Sequence, residues 1–223
     1  MSTSPPGTRS GPGMRWLLPE GIEEALPQSA ARIERLRRRL LDVYSRWGYE
    51  LVIPPLIEYL DSLLIGAGHD LELDTFKLVD QRSGRMMGLR ADMTPQVARV
   101  DAHRLARQAP TRLCYVGSVV HTRPGPFGGG RSPLQLGAEL YGHGGLEADV
   151  EVVELLLTTL DEARVSGPLC LDLGHVGIVR GLAAKTGIRE ADEAALFEML
   201  QRKSTPDIDA YIDRLDLDAE SNA

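Results

Sequence analysis

LRADMTPQVAR at residues 89–99, RLCYVGSVVH at 112–121, RPGPFGGGRSP at 123–133 and LQLGAELYG at 134–142 form the stretch that decides the fold. Residues 112–121 and 134–141 alternate in the manner of strands and flank a glycine-rich connection, which predicts an antiparallel pair. On the second strand Gln135 and Glu139 lie four apart and so point the same way, while Leu136, Ala138 and Leu140 supply the opposite, buried face. The polar face either is solvated or lines a pocket for a small polar ligand.

Outward from this centre the pattern is mixed. Ile33, Leu36, Leu40, Tyr44 and Trp47 recur at steps of three and four, predicting a helix over 28–47 with arginines on its other face and Gly48 as its terminator. Residues 49–53 read as a short strand that Pro54-Pro55 stops. Residues 56–64 read as helical, and 76–80 with 85–89 as a hairpin around a four-residue turn. Thr94 and Pro95 suit the cap and first position of a helix running to about 105. Val150, Val153, Leu156, Leu157 and Leu160 predict a helix over 149–163, broken by Gly167-Pro168. A strand over 169–173 and helices over 177–186, 191–201 and 207–215 follow, with Ser204 or Thr205 capping the last. This is an α+β pattern, an antiparallel sheet flanked by helices, and not a βαβ repeat.

Composition sets limits. The chain has 223 residues, 43% of them hydrophobic, and a net charge of −7, which argues against a dominant nucleic-acid surface. No apolar run is long enough for a membrane span and no signal pattern opens the chain, so no membrane partner and a cytoplasmic location are expected. Residues 1–13 read as a disordered leader and 14–223 as one core domain. Cys114 and Cys170 sit in apolar runs and read as buried, reduced thiols. The five histidines show no metal-ligand spacing, so neither metal nor other cofactor is expected. No nucleophile motif is present, so no catalytic residue is assigned.

Several residues carry candidate roles. The glycines at 128–130 form either a flexible hairpin loop or a loop that closes over a phosphate; Arg123 and Arg131 flank them as candidate anion-binding forks. Asp92 can take an amino group with help from Thr94, or can pair with Arg90 in an internal salt bridge.

These motifs resemble the class II aminoacyl-tRNA synthetase core, in particular its histidyl branch. GYELVIPPLIEY at 48–59 is similar to that class's first, dimer-forming motif. LRADMTPQVAR is similar to the amino-acid-binding loop, and 112–142 to the second motif. Together with WLLPEGIEEALP at 16–27, they most resemble the paralogous family of ATP phosphoribosyltransferase regulatory subunits, over about residues 14–215. The resemblance implies a class II synthetase-like fold. It implies a non-catalytic regulatory subunit that assembles with a short-form ATP phosphoribosyltransferase catalytic subunit in the first step of histidine synthesis. A homodimer through 48–59 and L-histidine as effector are implied with it. Asp92 and Thr94 would meet the histidine amino group, and Gln135 and Glu139 would contact the rest. His121 falls where the synthetases place an arginine for the ATP α-phosphate, with Thr122 and Arg123 after it where a glutamate is usual; the third motif would lie beyond residue 223. The sheet is therefore expected to be incomplete at the C-terminus, as a short form or as a fragment. An amino-acid-activating enzyme and an interaction module with a vestigial pocket are the alternatives.

Overall fold

A computed structural model describes residues 17–66, 69–125, 129–186, 195–197, 199–200 and 202–213. The leader expected over 1–13 lies outside them. The chain divides into two compact units, Met1–Ser166 and Gly167–Ala223.

In the first unit, Pro27 opens α1 (Pro27–Arg46), its fixed φ suited to the first helical position. Gly48, at φ +82°, ends the helix in a conformation costly for residues with a Cβ. The amide of Tyr49 then donates to the Tyr44 carbonyl, closing the last turn. The chain passes into β1 (Glu50–Leu51), which pairs in parallel with β5 (Thr111–Ser118). β5 pairs antiparallel with β6 (Leu134–Tyr141) in a register that sets Leu113 against Glu139, Tyr115 against Gly137 and Gly117 against Gln135. The antiparallel pair expected from the sequence is present, and the short strand expected over 49–53 is β1; its parallel pairing with β5 was not expected. A second sheet, ordered β2-β4-β3, comprises β2 (Ile57–Tyr59), β3 (Phe76–Val79) and β4 (Met86–Leu89). Asp80 closes the expected 76–89 hairpin by accepting from Ser83 Oγ and the Arg82 amide.

Both faces of the first sheet are covered. Cys114, Leu136 and Ala138 pack with Val43, Tyr44 and Tyr49 of the α1 layer and Leu155 of α5 (Leu146–Glu162). On the opposite face Leu113 and Tyr115 pack under Met93 and Val97 of α4 (Thr94–Val100) and its approach. The face carrying Gln135 and Glu139 is thus roofed by residues 90–105 rather than open to solvent. α4 runs into a π-helical turn (Asp101–Leu105), which ends where Ala106 adopts a left-handed φ of 46°.

Several expectations need correction. Residues 56–64 form β2 and one helical turn, α2 (Leu60–Leu63), because residues 57–59 find a strand partner in β4. Thr94 does not cap α4; it is the first helical residue, and Asp92 Oδ1 accepts its amide. α5 begins three residues earlier than expected, directly after Gly145. In the second unit residues 169–173 are not a strand, since no described neighbour pairs with them, and Cys170 is exposed rather than buried. α6 (Val176–Thr186) and α7 (Thr205–Ile212) fall close to expectation, with Ser204 Oγ donating to Asp207 ahead of α7. Of the helix expected over 191–201, residues 195–197 and 199–200 are helical and the rest lies outside the described residues. An α3 turn (His69–Asp74) precedes β3.

Candidate functional site

Four residues singled out in the sequence converge beneath the 90–105 segment. Asp92 Oδ1 accepts from the Thr94 amide at 3.0 Å and from Gln135 Nε2 at 2.7 Å. The other end of the Gln135 amide accepts from the Met93 N–H at 2.9 Å, so this side chain ties strand β6 to the loop at two points. Asp92 Oδ2 meets no protein donor among the described residues, which leaves one carboxylate oxygen held in place by its neighbour's bonds. Asp92 does not pair with Arg90.

A fifth residue, Tyr115, joins the two halves of the site. Its hydroxyl donates to Glu139 Oε1 at 3.1 Å and lies 3.0 Å from Thr94 Oγ1. A phenol has one proton, so with Tyr115 donating to the carboxylate, Thr94 donates to Tyr115. Room for this ring comes from Gly137 directly across the ladder: a Cβ there would stand 2.3 Å from the Tyr115 oxygen. Alternation alone marks Tyr115 as core, and its ring is indeed buried. The usable signal was a glycine on β6 opposite a large aromatic.

The electrostatics favour a cation. Burial raises the Glu139 pKa above the ordinary carboxylate range, the Asp92 charge adds to it, and the Thr94 and Tyr115 hydroxyls offset part. Burial, with the nearby Glu139 charge, likewise raises the Tyr115 phenol. Two half-buried carboxylates stand beside two hydroxyls and an amide, with no cationic side chain bonded to either carboxylate among the described residues. Such a site lowers its own energy by accepting an ammonium or imidazolium group.

Arg90 holds the loop that carries Asp92. Its buried guanidinium donates from Nε to the Ser118 carbonyl and from Nη1 to the Pro54 carbonyl, each at 2.8 Å. Burial lowers its pKa and the Glu58 charge offsets part of this. Residues 54–58 accept three further bonds from the same segment: the Arg90 amide to Leu56 O, Gln96 Nε2 to Pro55 O, and Arg99 Nη2 to Glu58 at 2.5 Å. His121 turns its Nε2 to the Ala91 carbonyl at 2.9 Å.

The two flanking arginines differ. Arg131 is committed to backbone: Nε donates to His121 O, Nη1 to Glu20 O, and its own amide to Gly21 O. It also lies over the Phe76 ring. Arg123 is exposed, with only a 3.5 Å contact to Asp74. Residues 126–128 of the connecting loop lie outside the described residues. Among the described residues no group of three or more His, Cys, Asp or Glu could hold a metal ion, and no helix is long and apolar enough to cross a membrane.

A mixed sheet of β1, β5 and β6, one face of which is roofed by a loop and a helix, defines a class II synthetase-like fold. The apo histidyl-tRNA synthetase of S. aureus shares the fold, with a TM-score of 0.54 at 20% identity over 65% of this chain and 34% of that one. The model of the histidyl-tRNA synthetase family matches residues 21–223, and the chain belongs to that family. Within the family it is 64% identical over 206 residues to the ATP phosphoribosyltransferase regulatory subunit of Thioalkalivibrio sulfidiphilus, covering 92% of this chain and 52% of that protein. A crystal structure described as an ATP phosphoribosyltransferase regulatory subunit/histidyl-tRNA synthetase from Bacillus halodurans C superposes with a TM-score of 0.81 at 28% identity, over 98% of this chain and 55% of that one. The chain spans about half the length of the curated relatives it matches.

Proposed function

We propose that the chain is the ligand-binding, synthetase-like module of a non-catalytic regulatory subunit of ATP phosphoribosyltransferase, which senses L-histidine in the first step of histidine synthesis. The observation that carries the reading is the convergence of Asp92, Thr94, Gln135 and Glu139 through Tyr115 into one acidic site. The 64% identity to a protein of that name supports it. Asp92 Oδ2 and the Glu139 carboxylate suit the ammonium and ring nitrogens of histidine, with the Thr94 hydroxyl alongside.

The reading assigns no chemistry of bond making. Where the synthetases use a guanidinium against the nucleotide α-phosphate, this chain has His121, and its ring is already turned to the Ala91 carbonyl. An imidazole offers no planar fork for a phosphate. Of the two flanking arginines, Arg123 has its guanidinium available to an anion, while Arg131 serves as a strut. The partner is a short-form phosphoribosyltransferase in the cytoplasm. A homodimer forms through residues 48–59, where Ile53 is 81% exposed and Leu51, Leu56 and Ile57 are exposed beside it.

Isothermal titration with histidine, alone and with the short-form transferase, tests the reading. The expected result is a complex, stimulated transferase activity and histidine binding that Asp92→Asn and Glu139→Gln each weaken at least tenfold. No complex and no stimulation would refute it. Amino-acid-dependent pyrophosphate exchange would instead favour an activating enzyme.

A further inference from the structure

β6 carries one more polar side chain on its roofed face. Tyr141 follows Glu139 by two residues, so the two point the same way, about 7 Å apart along the strand. The Tyr141 ring packs against the cluster that holds Met93, Val97 and Tyr115, and so does Leu105 of the π-helical turn. Thr94, Val97, Asp101 and Leu105 recur at steps of three and four, which places Asp101 on the same inward stripe of the roof. The Tyr141 hydroxyl and Asp101 Oδ1 are both shut off from solvent, and neither has a hydrogen-bond partner among the described residues. Buried polar atoms are normally paired, so two idle ones beside a ligand site call for a reason.

Glu139 changes its needs when a cation arrives. In the ligand-free chain burial favours its neutral form. A bound ammonium or imidazolium favours the carboxylate instead, whose proton leaves to solvent. A half-buried carboxylate takes more and stronger hydrogen bonds than a neutral acid. The titratable groups that act on Glu139 and Tyr141 are Asp92 of the loop, Asp101 of the roof and Tyr115 of β5, and none is a cation. Arg107, which the Asp101 charge reaches, is held by Glu50. The extra donor must therefore be a hydroxyl. Thr94 and Tyr115 are already engaged, Thr94 with Tyr115 and Tyr115 with Glu139 Oε1. Asp101 Oδ1 is an acceptor and can do nothing for a second carboxylate. The Tyr141 phenol remains: burial raises it, with the Glu139, Tyr115 and Asp101 charges adding to it, so it keeps its proton at neutral pH.

We propose that Tyr141 is a positioning residue of the ligand site, its hydroxyl idle while Glu139 is neutral and donating to the Glu139 carboxylate once a bound cation has ionised it. Tyr141 acts through Glu139 and does not touch the ligand, which agrees with the closure of its hydroxyl from solvent. The donation exists only in the bound state, so all of its stabilisation goes to binding and none to folding. The inference rests on the histidine reading given above and adds to it a residue that the ligand-free contacts alone do not assign.

The test compares the wild-type chain with Tyr141→Phe, which keeps the ring and its packing. Isothermal titration with L-histidine at pH 7 should show binding at least tenfold weaker in the variant. Carboxyl NMR titration of Glu139 separates this role from a structural one. Without histidine the two proteins should titrate alike, because the hydroxyl is idle. With histidine bound, Glu139 should titrate about one pH unit higher in the variant, the counterpart of a tenfold loss in affinity. The ligand-free melting temperature should not fall, since no bond is removed. Equal histidine affinity in the two proteins would overturn the inference and leave the histidine reading standing, whereas a wild-type chain that binds no histidine would overturn both. A ligand-free titration that moves as far as the bound one, or a lower ligand-free melting temperature, would show the hydroxyl already bonded within the fold and would overturn the inference as well.

Discussion

Replacing Gly117 with alanine tests the link between the sheet and the ligand loop. Gly117 has no positive φ, so space is the issue: an added Cβ would lie 2.3 Å from Arg90 Nη2 and 3.3 Å from Met93 Sδ. The guanidinium cannot swing aside freely, because Nε and Nη1 are each bonded to a buried or half-buried carbonyl at 2.8 Å. A hydrogen bond from a charged donor contributes about 1.5–3 kcal/mol. Full expulsion of Arg90 therefore puts roughly 3–6 kcal/mol at stake, and partial relaxation should leave a cost of about 2–4 kcal/mol. Urea unfolding followed by circular dichroism, at constant slope, measures it. The informative form is a double-mutant cycle with Arg90→Ala. Once the guanidinium is gone, Gly117→Ala should cost less than about 0.5 kcal/mol or become mildly stabilising, since alanine restricts the unfolded chain. Histidine binding should fall in Gly117→Ala as well, because Asp92 is two residues from Arg90. A Gly117→Ala protein within about 0.5 kcal/mol of wild type, or strictly additive costs, would refute the argument.

Three further outcomes are expected. Because burial raises the Glu139 pKa, the folded chain holds that proton more tightly than the unfolded chain. This contribution is complete below the ordinary carboxylate range and is lost as pH rises through the folded value, so Glu139→Gln should raise the melting temperature at pH 7 and lose that advantage in acid. A melting temperature that falls equally at every pH would contradict this. Arg112 holds the Glu151 carboxyl below its usual range, so that pair stabilises above the unfolded carboxylate range and fades as pH drops through the folded value; Glu151→Gln should cost about 1 kcal/mol at neutral pH, solvent screening included, and nothing near pH 2. Tyr115→Phe removes the donor to Glu139 and should cost about 1–2 kcal/mol while raising the Glu139 pKa further, read by carboxyl NMR titration. An unchanged titration would show that the hydroxyl does not contact the carboxylate in solution.

The parts of this structure legible in the sequence are those whose cause is local. α1 followed from a three-and-four apolar spacing and a terminal glycine, and β5 with β6 followed from alternation around a glycine-rich connection. The 76–89 hairpin was legible for the same reason. What escaped depends on partners distant in the chain. The short strand at β1 was legible, but its parallel partner was not, because Leu113 and Cys114, which offer it an edge, lie more than sixty residues on. Residues 169–173 have strand composition but no described neighbour, and composition without a partner makes no ladder. Within the site, Asp92, Thr94, Gln135 and Glu139 were legible through residue type, parity and resemblance. Tyr115 was not, because its role appears only when register sets it against Gly137. Nor was the contrast between Arg123 and Arg131, because the Glu20 and Gly21 carbonyls that occupy Arg131 come from more than a hundred residues away.

The two thiols have a practical consequence. Cys114 is buried between the sheet and the helical layer, and burial pushes its pKa up to about 11. At pH 8 only about one molecule in a thousand would carry the thiolate that alkylating reagents attack. Cys170 is exposed, and it belongs to the other compact unit. A maleimide dye or spin label added to the unmodified protein will therefore settle at one address. The native chain comes ready for distance and anisotropy measurements on its C-terminal unit, with no cysteine engineered in or out.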